Sequence, residues 1–208
     1  MGKATVVMPR FEPDKLLRMA ESFKLEKLLV APPVALFLAQ HPMVADYDLS
    51  HVKRVACGGA PLGAEIETML EKRLNLTVHQ GFGMTELSGA VTYSPLDSKR
   101  VGSAGMLLPN VTMKVRCLAT GQDLGRNEHG ELLFRTPQLM VGYLDNPDAT
   151  REAFTDDGYL RTGDIGYIDD DGFVFIVDRI KELIKYKGHQ VAPAELEDVL
   201  NNHPELED

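Results

Sequence analysis

From Leu28 to Gly83 the chain alternates short apolar runs with helix-like stretches, and this rhythm restricts the fold more than any other feature. Leu28–Ala31 is a buried-strand run stopped by Pro32-Pro33, and Val34–Gln40 follows as a helix. Val52–Cys57 is a strand running into the glycine-rich turn Cys57-Gly58-Gly59-Ala60-Pro61. Pro61–Leu74, rich in Glu, Lys and Leu, is the next expected helix, and Leu76–Gly83 the third strand. Strands separated by single helices predict an α/β layer with a mainly parallel sheet, because parallel neighbours need a crossover connection. Upstream, Ala4–Met8 is expected to be a buried strand, and Pro13–Phe23 an amphipathic helix with Leu16, Leu17, Met19 and Ala20 on one face.

After about residue 100 the period changes. VTMKVRCL, GELLFR, IGYI and FVFIVD are short strands between Gly, Asp and Asn turns, with one short helix at Pro147–Ala153. A small β-barrel-like subdomain or a distorted sheet fits that spacing. A third regime starts near residue 180: ELIKY, a Lys187-Gly188 turn, HQV, and a helix opening at Pro193. The expected organisation is therefore an α/β part over 1–100, a β-rich part over 101–179, and the start of an α+β domain over 180–208. That last piece has too little apolar surface for a core of its own, so the chain reads as an excerpt of a longer protein.

Composition removes several function classes. The 208 residues carry a formal net charge of −9, which argues against a nucleic-acid backbone as partner. No apolar run approaches the ~20 residues of a membrane helix, and the N-terminus does not have the form of a signal peptide. Cys57 and Cys117 stand far apart without metal-ligand spacing, which favours a reducing compartment. A Walker-type GxxxxGK[ST] loop, GxSxG and HExxH are all missing.

Four stretches carry chemistry. In Gln80-Gly81-Phe82-Gly83-Met84-Thr85-Glu86, bare backbone at a strand's carboxyl end admits a ligand closely, and Phe82 offers a stacking face. Thr85 stands where a helix N-cap would bind an anion, and Glu86 is a hard-cation ligand. The same residues also make a plain capped turn around a core Phe. Gly58-Gly59-Ala60-Pro61 ends the preceding strand, so both glycine-rich turns are expected on one side of the sheet. The third is YLRTGD and VDR, joined by a hairpin through Asp169-Asp170-Asp171-Gly172 that should bring Asp164 and Arg179 together. Such a pair either grips two ribose hydroxyls or closes the hairpin as an ion pair. The fourth is Lys181–Gln190, with lysines around a tight turn, either a solvated face or a mobile cationic module.

In order, GGAP, QGFGMTE, GELLFR, GYL, YLRTGD and VDRIKELIKYKGHQVAPAELE resemble the adenylate-forming (AMP-binding) enzymes, most of all 4-coumarate–CoA ligases, related acyl-CoA synthetases and beetle luciferases. The resemblance implies an enzyme that joins a carboxylic acid to ATP as an acyl-adenylate and then passes the acyl group to coenzyme A. It implies that Gly58, Gly59, Ala60 and Pro61 form one wall of the adenine and acyl pocket, and Gln80, Gly81, Phe82 and Gly83 the other. Phe82 stands where the family usually has Tyr, which keeps the stacking face and loses a hydroxyl. Thr85 is implied to contact phosphate, Glu86 Mg²⁺, and Asp164 with Arg179 the ribose. Lys181 matches the hinge of a small swinging domain. Lys185 and Gln190 match residues serving its two orientations, and Lys187 and Gly188 lie near the pantetheine path.

Two family elements have no counterpart in this sequence: the Ser/Thr/Gly-rich phosphate loop with its lysine, and the late lysine that stabilises charge on the α-phosphate. The expectation is a fragment with little or no activity alone, since losing one such group typically lowers rate ~10²–10³-fold. Cys57, Leu87, Ser88, Gly89 and Ala90 are candidate acyl-pocket residues. They suit an elongated apolar acid, whether a hydroxycinnamate, a fatty acid or a luciferin-like acid. The expected compartment is cytoplasmic or peroxisomal.

Overall fold

The structure is a computed structural model that describes residues 4–182, the backbones of 184–186 and 189–191, and Pro193. The first part runs α1 (Pro13–Ser22), β1 (Lys27–Val30), α2 (Pro32–Gln40), β2 (Arg54–Cys57), α3 (Ala64–Leu74) and β3 (Thr77–Gln80). The three strands form a parallel sheet in the order β1-β2-β3, as the alternation predicts. Leu28, Val55 and Val78 are register partners and pack with Leu17, Leu38 and Leu70 from the helices. The alternate row is Leu29, Ala56 and His79, on the opposite face because strand side chains alternate.

Three expectations change here. Ala4–Met8 pairs with no strand among the described residues, and Val7 is 78% exposed. β-branched residues favour a ladder but do not supply its partner. Helix α3 begins at Ala64, three residues after Pro61, because the Leu62 N–H and C=O are both bonded to the Gln80 side chain. The chain from Gly58 to Gly63 therefore stays outside the helix. Nor does Thr85 cap a helix. It opens a 3₁₀ turn of only three residues, Thr85–Leu87, with Met84 at the cap position and no side-chain cap. The short strands β4 (Gly83–Met84) and β5 (Gly89–Ala90) pair antiparallel, so the chain folds straight back. One such turn has no macrodipole worth an anion site, and only Thr85's own hydroxyl and N–H remain to serve there.

The second part continues with β6 (Thr92–Tyr93), β7 (Met106–Leu107), β8 (Thr112–Arg116), β9 (Gly130–Arg135), α4 (Pro147–Ala153), β10 (Leu160–Ile168) and β11 (Val174–Arg179). Strands β11-β10-β9-β8 form an open antiparallel sheet, so the distorted-sheet alternative holds and no barrel closes among the described residues. Its core gathers Val115, Leu132, Phe134, Leu160 and Val174. Leu87, Val91 and the partly buried Phe82 and Met84 join this core instead of the first. The apolar hand-over between the two layers thus falls at Phe82, inside the QGFGMTE stretch. Backbones β12 (Ile184–Tyr186) and β13 (His189–Val191) pair antiparallel, with Lys185 opposite Gln190. Lys187, Gly188 and the stretch after Pro193, where the helix is expected to continue, lie outside the described residues.

Candidate functional site

The carboxyl ends of β2 and β3 lie side by side, with Cys57 opposite Gln80. Beyond them Gly58 and Gly81 are so close that a Cβ on Gly58 would meet the Gly81 carbonyl at 3.7 Å. Together with Gly59, Phe82, Gly83 and Thr85 they line an open cavity of about 710 Å³. Leu29–Ala31, Ala56, Cys57, Gly89, Ala90 and Tyr93 also line it. This is the position where α/β sheets hold ligands, outside the carboxyl ends of the strands.

Glycine makes this shape in two ways. A Cβ on Gly81 would come within 2.8 Å of the Thr92 carbonyl, and one on Gly83 would overlap the Gly89 backbone. These two glycines let strands β4 to β6 approach closely. Gly59 differs: its φ is +94°, and a Cβ there would meet nothing within 4 Å. Bare backbone faces open space at that point, as a cradle for a flat ligand requires. Phe82 belongs to both the second core and the cavity lining. Its ring stacks on Phe134 with centroids 5.6 Å apart and also lines the cavity.

Several expected residues fall elsewhere. Ala60 and Pro61 are exposed and outside the cavity lining. Gln80 is buried and bonded to Leu62 and Glu67. Of the acyl-pocket candidates, Cys57, Gly89 and Ala90 line the cavity, whereas Leu87 is fully buried in the second core and Ser88 is exposed at φ +53°. Both cysteines are free thiols, and burial pushes the Cys57 thiol up to about 11. Cys57 is therefore an inert lining residue at neutral pH.

Glu86 is half-buried behind Thr85. Its Oε1 accepts a 2.8 Å bond from the Tyr143 hydroxyl, and its carbonyl accepts from Met140 N–H. Tyr143 belongs to the GYL stretch, whose partnership with Glu86 has no signal in local spacing because 57 residues separate them. No group of three or more His, Cys, Asp or Glu side chains is placed to hold a metal among the described residues. A single anchored carboxylate fits Mg²⁺ whose other ligands are phosphate oxygens and water.

The hairpin register sets Asp164 opposite Arg179, as predicted. Arg179 Nε lies 3.3 Å from Asp164 Oδ1. Asp164 is buried, while the Arg179 side chain is 65% exposed. Burial raises the Asp164 carboxyl above its ordinary value, and the Arg179 charge works against that rise. Thr162 Oγ1 accepts from Asp164 N–H at 3.0 Å, which holds the bulged backbone between Arg161 and Ile165. Lys181 lies two residues after Arg179 and is exposed.

A sequence profile described as AMP-binding enzyme matches residues 1–144. The chain belongs to the AMP-binding enzyme family. The probable 4-coumarate–CoA ligase 3 of Dictyostelium discoideum is 44% identical over all of this chain and 38% of its own length. Luciferin 4-monooxygenase of Photinus pyralis is 43% identical, again across the whole chain and 38% of that protein. The ATP-bound MatB of Rhodopseudomonas palustris superposes with a TM-score of 0.87 at 33% identity, covering 95% of this chain and 39% of that one. The chain thus spans about two fifths of the length of these relatives. Among the described residues no helix is long and apolar enough to cross a membrane.

Proposed function

We propose that this chain carries the adenylate seat of an acid–thiol ligase. In the whole reaction a carboxylate oxygen attacks the α-phosphorus of ATP and pyrophosphate leaves. The thiol of coenzyme A then attacks the acyl carbon, the carbon–oxygen bond to AMP breaks, and a thioester forms. Hydroxycinnamate or a similar acid is the proposed substrate. The observation that carries the reading is the glycine-lined cavity at the ends of β2 and β3, open where Gly59 presents bare backbone. Phe82 would stack on adenine, and Asp164 with Arg179 would bind the ribose hydroxyls. Thr85 would meet phosphate, and Glu86, held by Tyr143, would be the protein ligand of Mg²⁺. When bound, that ion neutralises phosphate charge. Residues 1–179 would form parts of the large nucleotide-binding domain. Lys181 would be the hinge, with Lys185, Lys187, Gly188 and Gln190 on the small domain that begins there.

Calorimetric titration of AMP into the 208-residue chain tests this seat. Saturable binding is expected, weakened by Asp164→Ala; absence of saturable heat overturns the reading. The similarity to luciferin 4-monooxygenase favours a second reading in which the acid is luciferin-like or a fatty acid. Non-hydrolysable acyl-sulfamoyl adenosines separate the two. Tighter binding of the coumaroyl than the fatty-acyl compound supports a hydroxycinnamate, and the reverse order supports an aliphatic acid. Binding of AMP with no gain from any acyl group would leave a nucleotide-binding module.

A further inference from the structure

Gln80 opens the QGFG segment, yet its side chain turns away from the cavity into a buried network. The carboxamide oxygen accepts from Leu62 N–H at 3.0 Å, and Nε2 donates to the Leu62 carbonyl at 3.1 Å. The second Nε2 hydrogen goes to Glu67 Oε2 at 2.8 Å. Glu67, 2% exposed on α3, also accepts from Gly102 N–H at 3.0 Å and, through Oε1, from Lys99 Nζ at 2.7 Å. Lys99 bonds Glu71 as well, and Glu71 accepts from Val78 N–H at 2.7 Å. Every donor and acceptor of the Gln80 carboxamide that can be used here is used.

This network joins the two walls of the cavity. Between Gly58 and Leu62 the chain packs only at Leu62, which is buried in the first core, since Gly59, Ala60 and Pro61 are exposed. The loop is tied at one end by Gly58 N–H to the Val30 carbonyl and at the other by Leu62 to Gln80. Gly81–Gly83 continues directly from Gln80. An ionised Glu67 accepts only, so it dictates which end of the carboxamide faces Leu62 N–H. Lys99 pairs with that carboxylate inside the protein, where an unpaired charge would be strongly unfavourable.

We propose that Glu67 and Lys99 are positioning residues that set the spacing between the Gly58–Gly59 and Gly81–Gly83 walls, through the Gln80 carboxamide that holds Leu62 at the end of the first loop. The proposal rests on the adenylate reading of the cavity. Glu67→Gln presents a donor as well as an acceptor and lets the carboxamide turn. Glu71→Gln perturbs the same lysine without touching Gln80, and its amide oxygen still accepts from Val78.

The test is AMP affinity by calorimetry, at a temperature where melting curves show each variant fully folded. Glu67→Gln and Lys99→Met are expected to weaken AMP about tenfold. Lys99→Arg should restore affinity to within about twofold of the parent, and Glu71→Gln should stay within the same margin. The Glu67→Gln/Lys99→Met double variant should lose little more than either single one, because both act through one contact. Parent-like affinity in folded Glu67→Gln, or an equal loss in Glu71→Gln, overturns the positioning role while leaving the adenylate reading intact. If the parent itself binds no AMP, the adenylate reading fails and the proposal falls with it.

Discussion

In the parallel layer the cavity is shaped by side chains left out, whereas at the β10–β11 end the candidate ribose clamp is made by charges put in. Gly58, Gly59, Gly81 and Gly83 bring backbone to the surface of the cavity, and strand β4 can approach β5 only because Gly83 lacks a Cβ. Asp164 and Arg179 are ordinary strand residues, brought together by hairpin register and a backbone bulge. The first region depends on steric exclusion, which is short-ranged and nearly all-or-none. The second depends on electrostatics, which is graded and sensitive to burial and pH. Substitutions should therefore fail abruptly in one and gradually in the other.

The largest effect is expected within the glycine wall. Gly83→Ala places a methyl group on the Gly89 backbone and should destabilise the chain by about 3 kcal/mol or more, measured by urea unfolding. Gly59→Ala meets no atom within 4 Å and pays only for its positive φ, about 1–3 kcal/mol. Equal losses in the two would break the distinction between close approach and open cradle.

At the charged end, Asp164→Asn should weaken AMP about tenfold while leaving the thermal midpoint at pH 7 unchanged or raised. The sign follows from the raised carboxyl: the folded protein holds this proton more tightly than the unfolded chain does. Ionised Asp164 thus opposes folding above its folded-state pKa, and that penalty disappears below the ordinary carboxylate range. A drop in midpoint at pH 7 would show Asp164 to be a stabilising ion pair instead. Arg179→Ala should weaken AMP only about threefold, because its guanidinium is largely in water.

Burial lowers the pKa of Lys99, but its bonds to Glu67 and Glu71 more than reverse that, leaving it raised. Its stabilisation is fully present below 10.5 and is lost as pH climbs through the higher folded-state value. The urea midpoint of the parent should fall across that alkaline window, and Lys99→Met should lack this step. The smallest effect belongs to the outer sheet. The Lys114 ammonium and the Thr155 hydroxyl hold Asp157 down to about 2. Lys114→Ala should move the Asp157 carboxyl back toward 3.8 in an NMR titration, with AMP affinity unchanged.

Local features were legible wherever the deciding interaction is close in sequence. Helix α4 begins at Pro147 behind Asn146, whose side chain accepts from Ala149 N–H, so its start signal is written in adjacent residues. The hairpin carrying Asp164 and Arg179 was legible because one acidic turn sets the register of both arms. Ala4–Met8, Thr85 and Pro61 misled for the opposite reason. A strand needs a partner, a cap needs a helix long enough to cap, and a helix start yields when a distant side chain takes its backbone groups. The family resemblance puts Gln80 in a pocket wall, but Glu67 and Leu62 decide the direction of its side chain from 13 and 18 residues away.

By itself the sequence determined the alternation of elements, the glycines at two consecutive strand ends and the residue types able to meet a nucleotide. Periodicity and backbone permissiveness act over a few residues and survive in any context. Only the tertiary structure decided which of those residues face the cavity, that Tyr143 holds Glu86, and that a buried Glu67, paired with Lys99, stands behind Gln80. Those outcomes depend on which partners, far away in sequence, lie within reach of a polar group in the fold, because most buried polar groups in folded proteins are hydrogen-bonded.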